Sequence, residues 1–129
     1  MSTIFSKIIS GEIPCYKIAE NDQFLAFLDI LPLSKGHTLI IPKQQIDYFF
    51  DLDNDLLAEY NIFAKEIARK IKAVVPCIKI GVAVIGLEVP HAHMHLVPMN
   101  HIGDLNFTKE RVKLTPEEFT ELADQIRNA

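Results

Sequence analysis

Residues 89–98 read VPHAHMHLVP, from Val89 to Pro98, and the alternation in this run sets the first element of the fold. Side chains at i, i+2 and i+4 of a β-strand share one face. His91, His93 and His95 therefore form a row, while Ala92, Met94 and Leu96 point the other way into a core. The strand is expected over His91–Val97, closed by Pro98. Three of the chain's five histidines stand in this row. With an unperturbed pKa of about 6.5, imidazole acts as nucleophile, acid or base near neutrality, so the row is a candidate site.

Working outward, Ile78–Ile85 reads as a strand and Gly86–Pro90 as the tight loop that returns it to the histidines. Upstream, Leu56, Tyr60, Phe63, Ile67, Ile71 and Val74 keep the spacing of one helix face, from a cap at Asp53 to a stop at Pro76. The segment HTLII, His37–Ile41, is a strand ended by Pro42 and preceded by a loop marked by Pro32, Ser34 and Gly36. Cys15–Ala19 and Phe24–Leu28 form a hairpin about Asn21 and Asp22. Ser2 or Thr3 caps a short helix through Ile4, Phe5, Ile8 and Ile9 that ends at Gly11. Near the C-terminus, Thr115, Pro116 and Glu118 make a capping box for a helix over residues 116–127 that carries Phe119, Leu122 and Ile126. Short strands with inserted helices predict an α+β fold, with an antiparallel sheet of about five strands, a long helix and a short N-terminal helix.

A chain of 129 residues that is 49% hydrophobic is long enough for one core and too short for two, so residues 1–129 are expected to form a single domain. The mean hydropathy of +0.15 leaves apolar surface for a homodimer, to which the helix Leu56–Val74 would contribute. No basic segment leading into an apolar run opens the chain, and no stretch approaches the roughly 20 apolar residues of a membrane helix. A cytoplasmic location without a membrane partner is expected. A net charge of −4 with no cluster of Lys and Arg gives no footprint for nucleic acid. A phosphate-bearing ligand must therefore have its charge met locally. Cys15 and Cys77 are isolated, which fits packed thiols and neither a redox motif nor a zinc knuckle.

By residue type alone, the histidine row admits three chemistries. It can be the polar face of an edge strand, a zinc site with Glu88 as the nearby acid, or a nucleophile at phosphorus flanked by hydrogen-bond donors. The run His-Ala-His-Met-His-Leu-Val from His91 resembles the signature of the histidine triad family of nucleotidyl hydrolases and transferases, H-x-H-x-H followed by two apolar residues. TIFSKIISGEIP from Thr3 and FLAFLDILPLSKGHTLIIPK from Phe24 to Lys43 resemble that family's N-terminal half in order and spacing. The resemblance runs from about Thr3 to about Pro98 and leaves the segment after His101 outside it.

The resemblance implies that His93 takes a nucleotidyl group covalently, with the backbone carbonyl of His91 fixing its tautomer. His95 would donate to the α-phosphate and help the leaving group depart, and His37 would complete the imidazole network. It further implies that Asp29 accepts the ribose hydroxyls and that Phe5, Ile8, Phe27 and Ile30 surround the base. Read by residue type, Phe5, Ile8 and Phe27 are core residues and Asp29 a turn residue. No cofactor and no metal are expected, because Thr3 and Ser6 stand where some bacterial relatives use two cysteines for a structural zinc.

The chain also departs from its relatives. Leu87 replaces a common Gln, Glu88 a small hydroxyl residue and Met99 an Arg of some branches, and no Asn occurs in Ile78–Ile85. Fewer polyphosphate contacts favour hydrolysis of a purine nucleoside 5′-phosphoramidate or related adenylate. The alternatives are a dinucleoside polyphosphate hydrolase and a nucleotide-binding regulatory module with little turnover.

Overall fold

The structure, a computed structural model, describes residues 2–129; Met1 lies outside it. Strands β1 (Lys17–Glu20), β2 (Phe24–Leu28), β3 (Thr38–Pro42), β4 (Lys79–Ala83) and β5 (Met94–Met99) are joined by helices α1 (Ile4–Ser10), α2 (Asn54–Val74) and α3 (Pro116–Arg127). The strands form one sheet in the order β1-β2-β3-β5-β4, each neighbouring pair antiparallel. This is the α+β architecture that the sequence predicts. Among the described residues no helix is long and apolar enough to cross a membrane.

Layering follows from the two central strands. Every residue of FLAFL in β2 and TLIIP in β3 is buried, so both sheet faces are covered. On one face Phe24, Ala26, Leu28, Ile40, Met94 and Leu96 pack against α2 and α3. On the other, Leu25, Phe27, Leu39 and Ile41 pack with Phe5 and Ile8 of α1. His95 alternates with Met94 and Leu96, so it opens on the α1 side. Helix α2 starts at Asp53, whose carboxylate accepts from Leu56 N–H at 2.8 Å. It buries Leu56, Tyr60, Phe63, Ala64, Ile67 and Ile71, and the Tyr60 hydroxyl donates to the Ile40 carbonyl. Helix α3 has the predicted capping box at Thr115 and Glu118 and stacks Phe119 on Tyr16 at 4.9 Å.

Limits differ from the sequence reading in four strands, and β3 runs over Thr38–Pro42 rather than His37–Ile41, with Pro42 paired to Phe24 instead of ending the strand. β1 begins at Lys17 rather than Cys15, and its pairing with β2 shifts register between Lys17 and Ala19. β4 spans only Lys79–Ala83 within the expected Ile78–Ile85. β5 begins at Met94, because His91 N–H donates to the Val89 carbonyl and Ala92 N–H to the Ile46 carbonyl instead of joining a ladder. Pro98 does not close the strand but pairs with Ile80. Its carbonyl accepts from Ser34 Oγ beyond the last β3 pair, Thr38 with Leu96, so the missing N–H breaks no ladder bond.

Candidate active site

Two short chains of hydrogen bonds fix the imidazoles. His91 Nε2 donates to the Pro42 carbonyl at 2.8 Å, which leaves Nδ1 as the acceptor for the Thr3 hydroxyl at 3.3 Å. Thr3 Oγ1 in turn accepts from Ser6 N–H as the N-cap of α1. The helix cap is thereby tied to the first histidine of the row. His93 Nδ1 donates to the His91 carbonyl at 2.8 Å, so the lone pair of the neutral ring resides on Nε2. No fully buried side-chain nitrogen or oxygen lacks a partner among the described residues, and Nε2 of His93 has none, so this nitrogen reaches the cleft.

The second chain starts at Leu33, whose N–H donates to His37 Nδ1 at 2.9 Å. His37 Nε2 must then carry the proton, and it donates to His95 Nδ1 at 2.9 Å. That leaves Nε2–H of His95 as a donor facing the cleft. Burial, reinforced by the neighbouring imidazole, pushes His37 down to about 3, and burial with His93 and Arg111 pushes His95 down to about 4. Burial also lowers His91. His37, His91 and His95 are therefore neutral at pH 7.

Asp29, Phe5, Ile8, Phe27 and Ile30 all line one cleft of about 590 Å³ with His93 and His95. The Phe5 ring stands edge-on to His93 at 4.9 Å and Phe27 lies 6.1 Å from Phe5. Ile30 sits at the rim with 67% of its surface exposed. Asp29 follows β2, where one carboxylate oxygen accepts from Leu31 N–H at 2.8 Å and the other lies 3.5 Å from His37 Nε2. Burial raises its carboxyl above the usual carboxylate range. Leu87 and Glu88 both line the cleft, Leu87 as a largely exposed side chain, and the Met99 sulfur fills the space over Gly81 in β4.

Asp29, His37 and His95 present ligand atoms within 4.8 Å of one another, a spacing that could hold a metal. The hydrogen bonds oppose it. His37 could ligate through Nε2 only as an imidazolate, since its Nδ1 is occupied as an acceptor. Thr3 and Ser6 are engaged in the reciprocal cap of α1 and offer hydroxyls where zinc prefers thiolate or imidazole.

The histidine row, its hydrogen-bond pattern and the apolar cleft coincide with a match to known proteins. A HIT domain model matches residues 10–102. The chain belongs to the HIT family. Across 131 aligned residues it is 36% identical to an uncharacterized HIT-like protein of Borreliella burgdorferi, covering 95% of this chain and 94% of that one. It is 35% identical to the adenosine 5′-monophosphoramidase hnt1 of Schizosaccharomyces pombe, covering 98% of this chain and 96% of that one. The crystal structure of a Hit-like protein involved in cell-cycle regulation from Bartonella henselae, with an unknown ligand, superposes with a TM-score of 0.83 at 30% identity, covering 98% and 95% of the two chains.

Two cleft residues of this HIT protein, and one bond behind the cleft, escaped sequence reasoning. Phe107 and Arg111 line the cleft from beyond the matched domain, and Thr3 bonds His91. Only the lone aromatic in the polar run Asn106–Arg111 hinted at the first two.

Proposed function

We propose that this HIT protein is a nucleotidyl hydrolase that cleaves nucleoside 5′-phosphoramidates, or adenylates with a comparable leaving group, through a nucleotidyl-His93 intermediate. The observation that carries this reading is the bond from His93 Nδ1 to the His91 carbonyl, which leaves the Nε2 lone pair free toward the cleft. That lone pair attacks the α-phosphorus as the P–N bond to the leaving amine breaks, and the amine departs with a proton from solvent. His95 Nε2–H donates to the phosphoryl oxygens, where charge builds up. Water then attacks the same phosphorus and frees His93. Asp29 accepts the ribose hydroxyls, and Phe5, Ile8, Phe27 and Ile30 surround the base. The name of the fission-yeast relative, a monophosphoramidase, supports this substrate class. Glu88 on the cleft wall favours a second reading, a nucleotide-binding module with slow turnover, because its charge opposes a phosphate.

The functional unit in this reading is a homodimer in the cytoplasm. β4 is an open sheet edge that leaves Val82 56% exposed, Ile78 just before it is 62% exposed, and α2 leaves Ile62 54% exposed.

Turnover of adenosine 5′-phosphoramidate by wild type and His93→Ala, each with and without EDTA, tests the assignment. Chelator-resistant hydrolysis that falls by at least about 10³-fold in His93→Ala is expected. Binding without turnover would favour the regulatory module, and loss of activity on chelation would move the chemistry to a metal.

A further inference from the structure

Beyond the HIT domain the chain folds back over the cleft. Phe107 places its ring 4.7 Å from that of His95 and 6.3 Å from that of His37. Val112 N–H donates to the Pro32 carbonyl at 2.9 Å, which pins the segment beside the loop that follows Asp29. Between these anchors Arg111 donates from Nη1 to the Leu31 carbonyl and from Nη2 to the Phe107 carbonyl, with its guanidinium 5.7 Å from the Phe107 ring centre. Arg111 thus enters the wall that also holds Asp29, His93 and His95.

A phosphoryl group brings negative charge into this cleft, where the charged lining residues other than Arg111 are acidic. The protein carries a net charge of −4, and the cleft wall includes Asp29 and Glu88. The hydrogen-bond pattern keeps His37 and His95 neutral. Arg111 is the one permanent cation among the lining residues. Two of its five N–H groups are held by carbonyls, and none of the ion pairs among the described residues includes it. A half-buried guanidinium held by carbonyls, with N–H groups to spare and a charge that acts on Asp29 without an ion pair between them, suits a planar fork that can take an anion.

We propose that Arg111 binds the anionic phosphoryl group of the substrate and supplies, from outside the HIT domain, the positive charge that the imidazoles lack. The ligand class is a nucleoside 5′-phosphate ester or amide, distinguished from a neutral nucleoside by this contact. The proposal rests on the nucleotide reading given above.

Calorimetric titration of the full chain with AMP and, separately, with adenosine tests it on wild type, Arg111→Gln and Arg111→Lys. Wild type prefers AMP. Arg111→Gln lowers that preference by about ten- to hundredfold through weaker AMP binding, while adenosine affinity is retained. Arg111→Lys keeps the charge but cannot span two carbonyls, and it retains most of the preference. Parallel loss of both ligands in the two variants, or an unchanged preference in Arg111→Gln, would overturn the proposal and leave Arg111 as a clamp on the C-terminal segment. Wild type that binds neither compound would instead overturn the nucleotide reading, a result separable from lost charge selectivity.

Discussion

His37 and His95 are built into the site as neutral rings, and their burial makes stability depend on pH. In the unfolded chain both titrate near 6.5, whereas in the fold they titrate near 3 and 4. Between those limits the unfolded state binds more protons, so stability rises with pH there. The contribution is fully present above about pH 6.5 and is lost as pH falls through about 4 for His95 and about 3 for His37. Asp29, whose carboxyl is raised, acts in the opposite sense at the low end of that window. Urea unfolding should therefore show a lower midpoint at about pH 5 than at about pH 7.5, corresponding to a loss of unfolding free energy of the order of a few kcal/mol that shrinks in His95→Asn. A midpoint that does not move would mean these rings are not held neutral. At the other end of the row, Thr3→Val removes both the donor to His91 and the cap acceptor for Ser6. A loss of about 1–2 kcal/mol is expected by urea titration, largely restored in Thr3→Ser.

At the scale of elements, the turn before His37 is a tightly constrained joint. Gly36 has φ of +96°, and a β-carbon there would lie 3.0 Å from Val75 Cγ2 and 3.2 Å from Pro98 Cγ. Gly36→Ala should cost about 1–3 kcal/mol in urea unfolding and reduce turnover by displacing His37. Retained stability would mean the loop relaxes freely. The three helices were legible in the sequence, because Thr3, Asp53 and Thr115 cap them and α2 and α3 keep one apolar face. So were β2 and β3, as continuous apolar runs. The start of β5 was not, since alternation places His91 and His93 on one side without saying where their backbone bonds go. Those bonds run to Val89 and Ile46, a long-range contact that no local pattern encodes. The residues of the cleft drawn from the triad and from β2 were readable through the family resemblance. Phe107 and Arg111 were not, because an irregular segment has no period to announce which face it covers.

For the molecule as a whole, the proposed dimer and the proposed chemistry are separable. Sedimentation equilibrium should give twice the chain mass of 14.6 kDa, and Val82→Asp should shift it toward the monomer by charging the open edge of β4. A wild-type monomer at micromolar concentration would remove the homodimer and leave the His93 chemistry standing, since all the cleft residues named above come from one chain. The covalent intermediate is the central claim, and it is tested most directly by quenching the reaction with labelled adenosine 5′-phosphoramidate in alkali, where a phosphohistidine survives, and locating the label by peptide mass. A nucleotidyl group on the His93 peptide of wild type, absent from His93→Ala, is the predicted result; turnover by wild type with no protein-bound label at any quench time would contradict it.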